Sequence, residues 1–203
     1  MLARFLIAHR NGRVSRRLEH GLWMFQNYPQ WDGFLLGMFS AENEQIRAAW
    51  LQQVGSDQHS GTVLHNAAIF FEGSDPDRAE ALLKQAIARE PDMPFHVEAL
   101  GILYVRSQYG ARSPAFAKHA RAELLSSSDW LLVGGALNES PHSKAIAGDE
   151  LGKLLLARLR ELAGNRDALD LLKDLPSKSE EYSHFRCPAI PLLNRCVDRS
   201  NQP

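Results

Sequence analysis

The sequence predicts an all-α protein built from antiparallel helix hairpins stacked side by side. A motif of large, large, small and aromatic-or-large residues recurs at steps of 34 and 33 positions. Helix start and stop signals bracket apolar-periodic stretches of hairpin length. Hydrophobic residues make up 44% of the 203 positions and charged residues 23%, the balance of a chain that folds on an apolar core. At this length roughly 70% of the unfolded chain's surface is buried on folding, so no metal or disulfide framework is needed.

Residues 1–59 read as a degenerate amino-terminal repeat or cap. VSRRLEHGLWMFQNY forms a helix capped by Ser15 and closed by Pro29, and WDGFLLGMF forms a short apolar helix or a loop. ENEQIRAAWLQQV, Glu42 to Val54, is an amphipathic helix with Ile46, Ala49, Trp50 and Val54 on one face and Gly55 at its end. Residues 60–140 hold the repeats. The motif falls on Val63, Asn66, Ala67 and Phe70, then on Val97, Leu100, Gly101 and Tyr104, then on Trp130, Val133, Gly134 and Leu137. Between the first two copies, Ala79, Leu83 and Ala86 share one helix face. Asp75 or Asp77 caps that helix, Pro76 fits its entry turn, Glu80 supports its first turn, and Pro91 stops it.

In the second unit Pro114 and added turn residues blur the second helix. Residues 141–176 are capping helices. SPHSKAIAGDELGKLLLARLRELAG gives a helix of about 20 residues, presenting Ile146, Leu151, Leu155, Leu159 and Leu162 and stopped by Gly164. NRDALDLLKDL is a shorter helix broken by Pro176. Residues 177–203 form a proline-containing extended tail in which Phe185, Ile190, Leu192 and Leu193 are available to lie against the body.

The spacing has a physical reason, because helices approach closely only where the facing side chains are small. Ala67 against Ala79 supplies that closeness, and Phe70, Leu83, Tyr104 and Trp130 fill the space between hairpins that cannot bury an apolar face alone. The competing reading is a plain helical bundle. The arrangement resembles the tetratricopeptide repeat, whose pattern is W-x2-L-G-x2-Y, then A-x3-F, then P at a period of 34. Residues 60–93 match in register, with Asn66 standing where leucine is expected. Residues 94 to 126 match on their first helix, and the unit from 127 keeps Trp130, Val133 and Gly134. The resemblance implies a right-handed superhelix with atypical capping helices.

Charge and chemistry narrow the function. A net charge of −1 supplies no cationic field for nucleic acid. The distribution is nevertheless dipolar: Arg4, Arg10, Arg13, Arg16 and Arg17 precede the first acid, Glu19, whereas residues 61–100 carry seven acids and three bases, net −4. No apolar segment approaches a membrane span or a signal-peptide core, so cytoplasmic residence is expected. Cys187 and Cys196 lie in the tail without zinc-site spacing and are expected to be unremarkable thiols. Phosphate loops, HExxH, GxSxG and EF-hand patterns are absent from the sequence. The eight histidines are scattered, with no pair at i, i+4 on one helix. No catalytic residue, metal ligand or cofactor is therefore assigned.

The expected function is non-catalytic binding of a protein or peptide segment. By the resemblance, the concave face built from first helices includes Leu64, His65, Ala68, Phe71 and Glu72, then Glu98, Ile102, Val105 and Arg106. A basic segment suits its acidic and apolar mixture. Leu64, Ala68 and Ala99 stand where a clamp for a carboxyl-terminal peptide needs polar groups. The same set is alternatively core, or covered by the tail. Self-association is the second function reading. A small enzyme is the third, requiring a histidine to meet a carboxylate in a cleft, for instance His65 near Glu98.

Overall fold

The computed structural model describes residues 22, 23, 27, 44–55, 59–109, 113–139 and 150–176. Their regular structure is all helical, joined by short turns, with no strand among the described residues. The helices are α1 (Glu44–Val54), α2 (Gly61–Phe71), α3 (Pro76–Arg89), α4 (Phe95–Arg106), α5 (Pro114–Ser126), α6 (Trp130–Glu139), α7 (Glu150–Ala163) and α8 (Ala168–Leu171), the last running into a 3-10 turn, Leu172–Asp174. Of the expected helix at Ser15–Pro29 only Leu22, Trp23 and Asn27 are described, all three helical, and the WDGFLLGMF element, the residues before Glu150 with Ile146, and the tail with both cysteines lie outside the described residues.

Local chemistry sets the boundaries. Ser60 caps α2 by accepting from the Val63 N–H at 3.3 Å, and Asp75 caps α3 by accepting from the Arg78 N–H at 3.2 Å. Such a cap is worth about 1 kcal/mol. Pro114, expected to blur the second unit, instead begins α5 behind the Ser113 cap, which accepts from the Phe116 N–H. A proline in the first turn removes only an N–H that has no helical partner. Gly164 ends α7 as expected, at φ +60, a left-handed conformation that a glycine adopts without cost.

The helices divide into two kinds. α2, α4 and α6 are apolar nearly all round and mostly buried, whereas α3, α5 and α7 keep one face in solvent. α2 pairs with α3 as a hairpin, α3 also packs on α4, and α1 leans on α2 through the buried Ile46 and Trp50. The most extensive pairing joins α4 to α6, two first helices of successive units, rather than α4 to its own hairpin partner α5.

Glycine explains that pairing. A Cβ at Gly101 would collide with the Leu132 carbonyl oxygen and stand 3.1 Å from the Ala136 nitrogen. On the facing helix, a Cβ at Gly135 would stand 2.7 Å from the Glu98 carbonyl oxygen and 2.8 Å from its Cγ. The two backbones therefore touch along a seam that no larger residue permits. Gly101 is thus a small residue for the next unit and not for its own hairpin. Gly134 faces onward too, towards the Leu175 side chain at 3.2 Å and Leu172 at 3.7 Å.

Replacing Gly101 by alanine overpacks this seam and is expected to cost about 1–3 kcal/mol or more, a fall of several degrees in Tm. Gly73→Ala is the control, since nothing stands within 4 Å of its would-be Cβ. Thermal melts in which both variants match the parent would contradict the seam.

Candidate functional site

The nine residues expected on an open face do not form one. Leu64, His65, Ala68, Phe71, Glu98 and Val105 are all buried, none more than 3% exposed. This corrects the expectation of an open concave surface at these positions, and the reason is the all-round apolar character of α2 and α4. Phe71 lies under two guanidinium groups, Arg47 at 5.2 Å and Arg78 at 5.5 Å from its ring centre. Glu98 lies against the bare backbone of Gly135. Ile102 and Glu72 stay partly accessible and Arg106 is exposed.

Glu72 and Arg106 belong to a row across the carboxyl-terminal ends of the three first helices. The Arg106 guanidinium donates from Nη1 to both Glu72 oxygens, at 3.2 and 3.1 Å. It donates to Glu139 Oε1 from Nε at 3.1 Å and from Nη2 at 2.7 Å. Glu72, Arg106 and Glu139 are separated by 34 and 33 positions, the same steps as Ala67, Gly101 and Gly134. Burial raises the pKa of Glu72 and the Glu139 carboxylate adds to this, against the pull of Arg106. Burial works against the charge on Arg106 as well, but the two carboxylates outweigh it and raise its pKa. Glu139 escaped the sequence reading, although its register position equals that of Glu72 and Arg106.

A second cluster ties α3 to α4 and α5. Tyr104 donates its hydroxyl to Glu80 Oε1 at 2.6 Å, and the same carboxylate meets His119 Nε2 at 2.9 Å and Lys84 Nζ at 2.6 Å. Burial opposes the charge of Glu80, yet the bonds from His119, Lys84 and Tyr104 overcome it and hold the carboxyl below its usual range. Burial and the Glu80 bond push the Tyr104 hydroxyl upward. Every charge here has a partner, which is what a buried ion needs in order to be tolerated.

A third cluster lies where α2 begins. Glu90, at the end of α3, accepts from the Gly61 N–H at 2.7 Å and meets His96 Nε2 at 3.0 Å. His96 Nδ1 faces His65 Nδ1 at 3.1 Å, and the His65 ring stacks on Phe95 with centroids 4.7 Å apart. His65 therefore pairs with His96, and only through it with a carboxylate. Burial, and then the neighbouring His96, depress the His65 pKa to about 3. No short motif signals this cluster, because its members come from three chain segments. Among the described residues, no group of three or more His, Cys, Asp and Glu is placed to hold a metal ion.

The Glu72–Arg106 pair can be weighed by a double-mutant cycle with Glu72→Gln and Arg106→Gln. The half-exposed guanidinium limits the expected coupling to about 0.5–1 kcal/mol, shrinking at high salt. A coupling of zero at low salt in urea melts would remove the row as a structural tie.

Comparison of the chain with protein-family models, curated proteins and solved structures returns no match.

Proposed function

We propose that the chain is a non-catalytic helical-repeat module of tetratricopeptide type, acting in the cytoplasm, that binds a segment of another protein. The observation that carries this reading is the row Glu72–Arg106–Glu139, whose spacing repeats that of the helices it joins. A repeat stack offers a partner the surface along its length, and with the face first expected buried, this edge is where the first helices stay accessible among the described residues. Tyr109, 40% exposed, follows Arg106 at the same end of α4, and Ile102 is partly accessible on that helix. An aromatic group beside paired charges is a composition that recurs where proteins recognise one another. Two carboxylates to one guanidinium favour a basic segment, steered by charge and held by apolar contact.

A photo-crosslinking aromatic residue in place of Tyr109 tests this in living cells, with Lys118 on the outer helix α5 as the control position. The reading predicts an adduct with a distinct protein from position 109 and none from 118. Equal adducts from both positions, or none from 109, would reject it.

Self-association is the second reading, favoured by Leu154 on α7 and Leu169 on α8, which are 39% and 49% exposed at the far end of the described stack. It predicts that the chain sediments as a dimer and that Leu154→Lys with Leu169→Lys converts it to a monomer. A parent that sediments as a monomer at every accessible concentration would contradict it.

A further inference from the structure

The cluster at the start of α2 is joined in series, and its geometry fixes where each hydrogen sits. The Glu90 carboxylate only accepts, so His96 donates to it from Nε2. A neutral His96 then has a lone pair on Nδ1, which accepts from the Nδ1–H of His65 across 3.1 Å. His65 is left with its lone pair on Nε2, an atom that is buried and has no hydrogen-bond partner among the described residues.

The packing around this chain is tight. A Cβ at Gly61 would stand 2.6 Å from Glu90 Oε2 and 2.9 Å from His96 Nε2, so the carboxylate reaches the first N–H of α2 only because that residue is glycine. Such an N–H is one of those a helix leaves unpaired at its amino end, and a carboxylate is favoured there. Arg89 reinforces the same corner by donating to the His59 carbonyl.

We propose that Glu90, His96 and His65 form an acid-opened latch, which fastens the first turns of α2 to the α3–α4 corner while the two rings hold at most one extra proton, and releases them when both rings are charged. The count follows from the atoms. The two rings have four nitrogens and carry two hydrogens in the neutral chain. One added proton fits, either on Nε2 of His65 or on His96 with a shift of the middle hydrogen, and in both cases one hydrogen still lies between the Nδ1 atoms. A second added proton places a hydrogen on each facing Nδ1 and abolishes that bond. It also sets two cations side by side, with ring centroids 5.2 Å apart, away from water.

The titratable groups around the latch are His65 on α2, Glu90 at the end of α3 and His96 on α4, with Arg89 and, just before α2, His59 beside them. α2 itself contributes no other charge, since its residues are GTVLHNAAIFF. The open form holds at least one proton more than the closed form once pH falls below the ordinary histidine value of 6.5, and the depressed His65 value of about 3 extends that difference downward. Opening is local, because the Gly101–Gly135 seam and the Arg106 row fasten other parts of the stack and contain no histidine.

The test is hydrogen exchange of the full chain between pH 7.5 and 4.5, corrected for intrinsic rates. The opening constant of the amides of residues 61–66 should rise by about tenfold or more for each pH unit below 6.5, while amides 99–105 stay flat. His65→Phe keeps a ring stacked on Phe95 and removes one titrating partner, so this slope should fall by about one tenfold step per pH unit. A second variant reads the chain without any opening. In Glu90→Gln the amide oxygen takes the Gly61 N–H and its NH2 donates to His96, which inverts the series and moves the His65 hydrogen from Nδ1 to Nε2. Nitrogen-15 imidazole spectra at neutral pH report that exchange of tautomers in a ring the substitution does not touch. A flat parental profile, an unchanged slope in His65→Phe, or a parental His65 protonated on Nε2 at neutral pH would each overturn the latch.

Discussion

The contact on which the rest of the structure depends is the meeting of two backbones, α4 and α6, at Gly101 and Gly135. Dispersion between atoms in contact is short-ranged, and a gap of less than an ångström forfeits much of it. Two glycines on facing helices let the helices close that gap along their length. The register follows: with Gly101 seated on Leu132 and Ala136, the carboxyl-terminal ends of α4 and α6 come level. Arg106 then reaches Glu139 on one side and Glu72 on the other. The row of charges is a consequence of the seam, and its modest energy holds the ends in line without creating the pairing.

Burial on both sides of α2 and α4 has a second consequence, which is that polar groups on those helices must find partners inside. Tyr104 finds Glu80, and His65 finds His96 and, through it, Glu90. These bonds join helices that are distant in sequence, across 24 positions in the first case and 31 in the second. An unpaired buried donor or acceptor costs about 1–3 kcal/mol, so each such bond penalises any shift of one helix past its neighbour. The interior is therefore specified by a few polar bonds as well as by volume.

Much of the helix layout was legible in the residues. Asp75 with Pro76, Pro91 and Gly164 marked boundaries where they occur, and Ile46 with Trp50 marked the buried face of α1. Pro114 was read as blurring the second helix, although Ser113 before it repeats the cap-then-proline order that Asp75 and Pro76 show one unit earlier, and that order starts a helix in both places. The steps of 34 and 33 were visible, but the neighbour that each small residue faces was not. Spacing along one helix does not say which of two adjacent helices lies against it. The open face failed for a related reason: TVLHNAAIFF holds no charged residue, and a helix apolar all round is covered on all sides. That signal was present in the sequence and points against a solvent-facing groove. The histidine series was illegible, since Glu90, His96 and His65 are joined only by folding.

The claim that α4 pairs with α6 through glycine, and not with α5 within its hairpin, is tested most directly by proton–proton contacts in the folded chain. The account predicts strong nuclear Overhauser effects from the Gly101 α-protons to the Ala136 amide, and from the Gly135 α-protons to the Glu98 side chain. Effects from Gly101 to Phe116 or Ala120 on α5, with none to α6, would place the small residue inside its own hairpin and contradict the account.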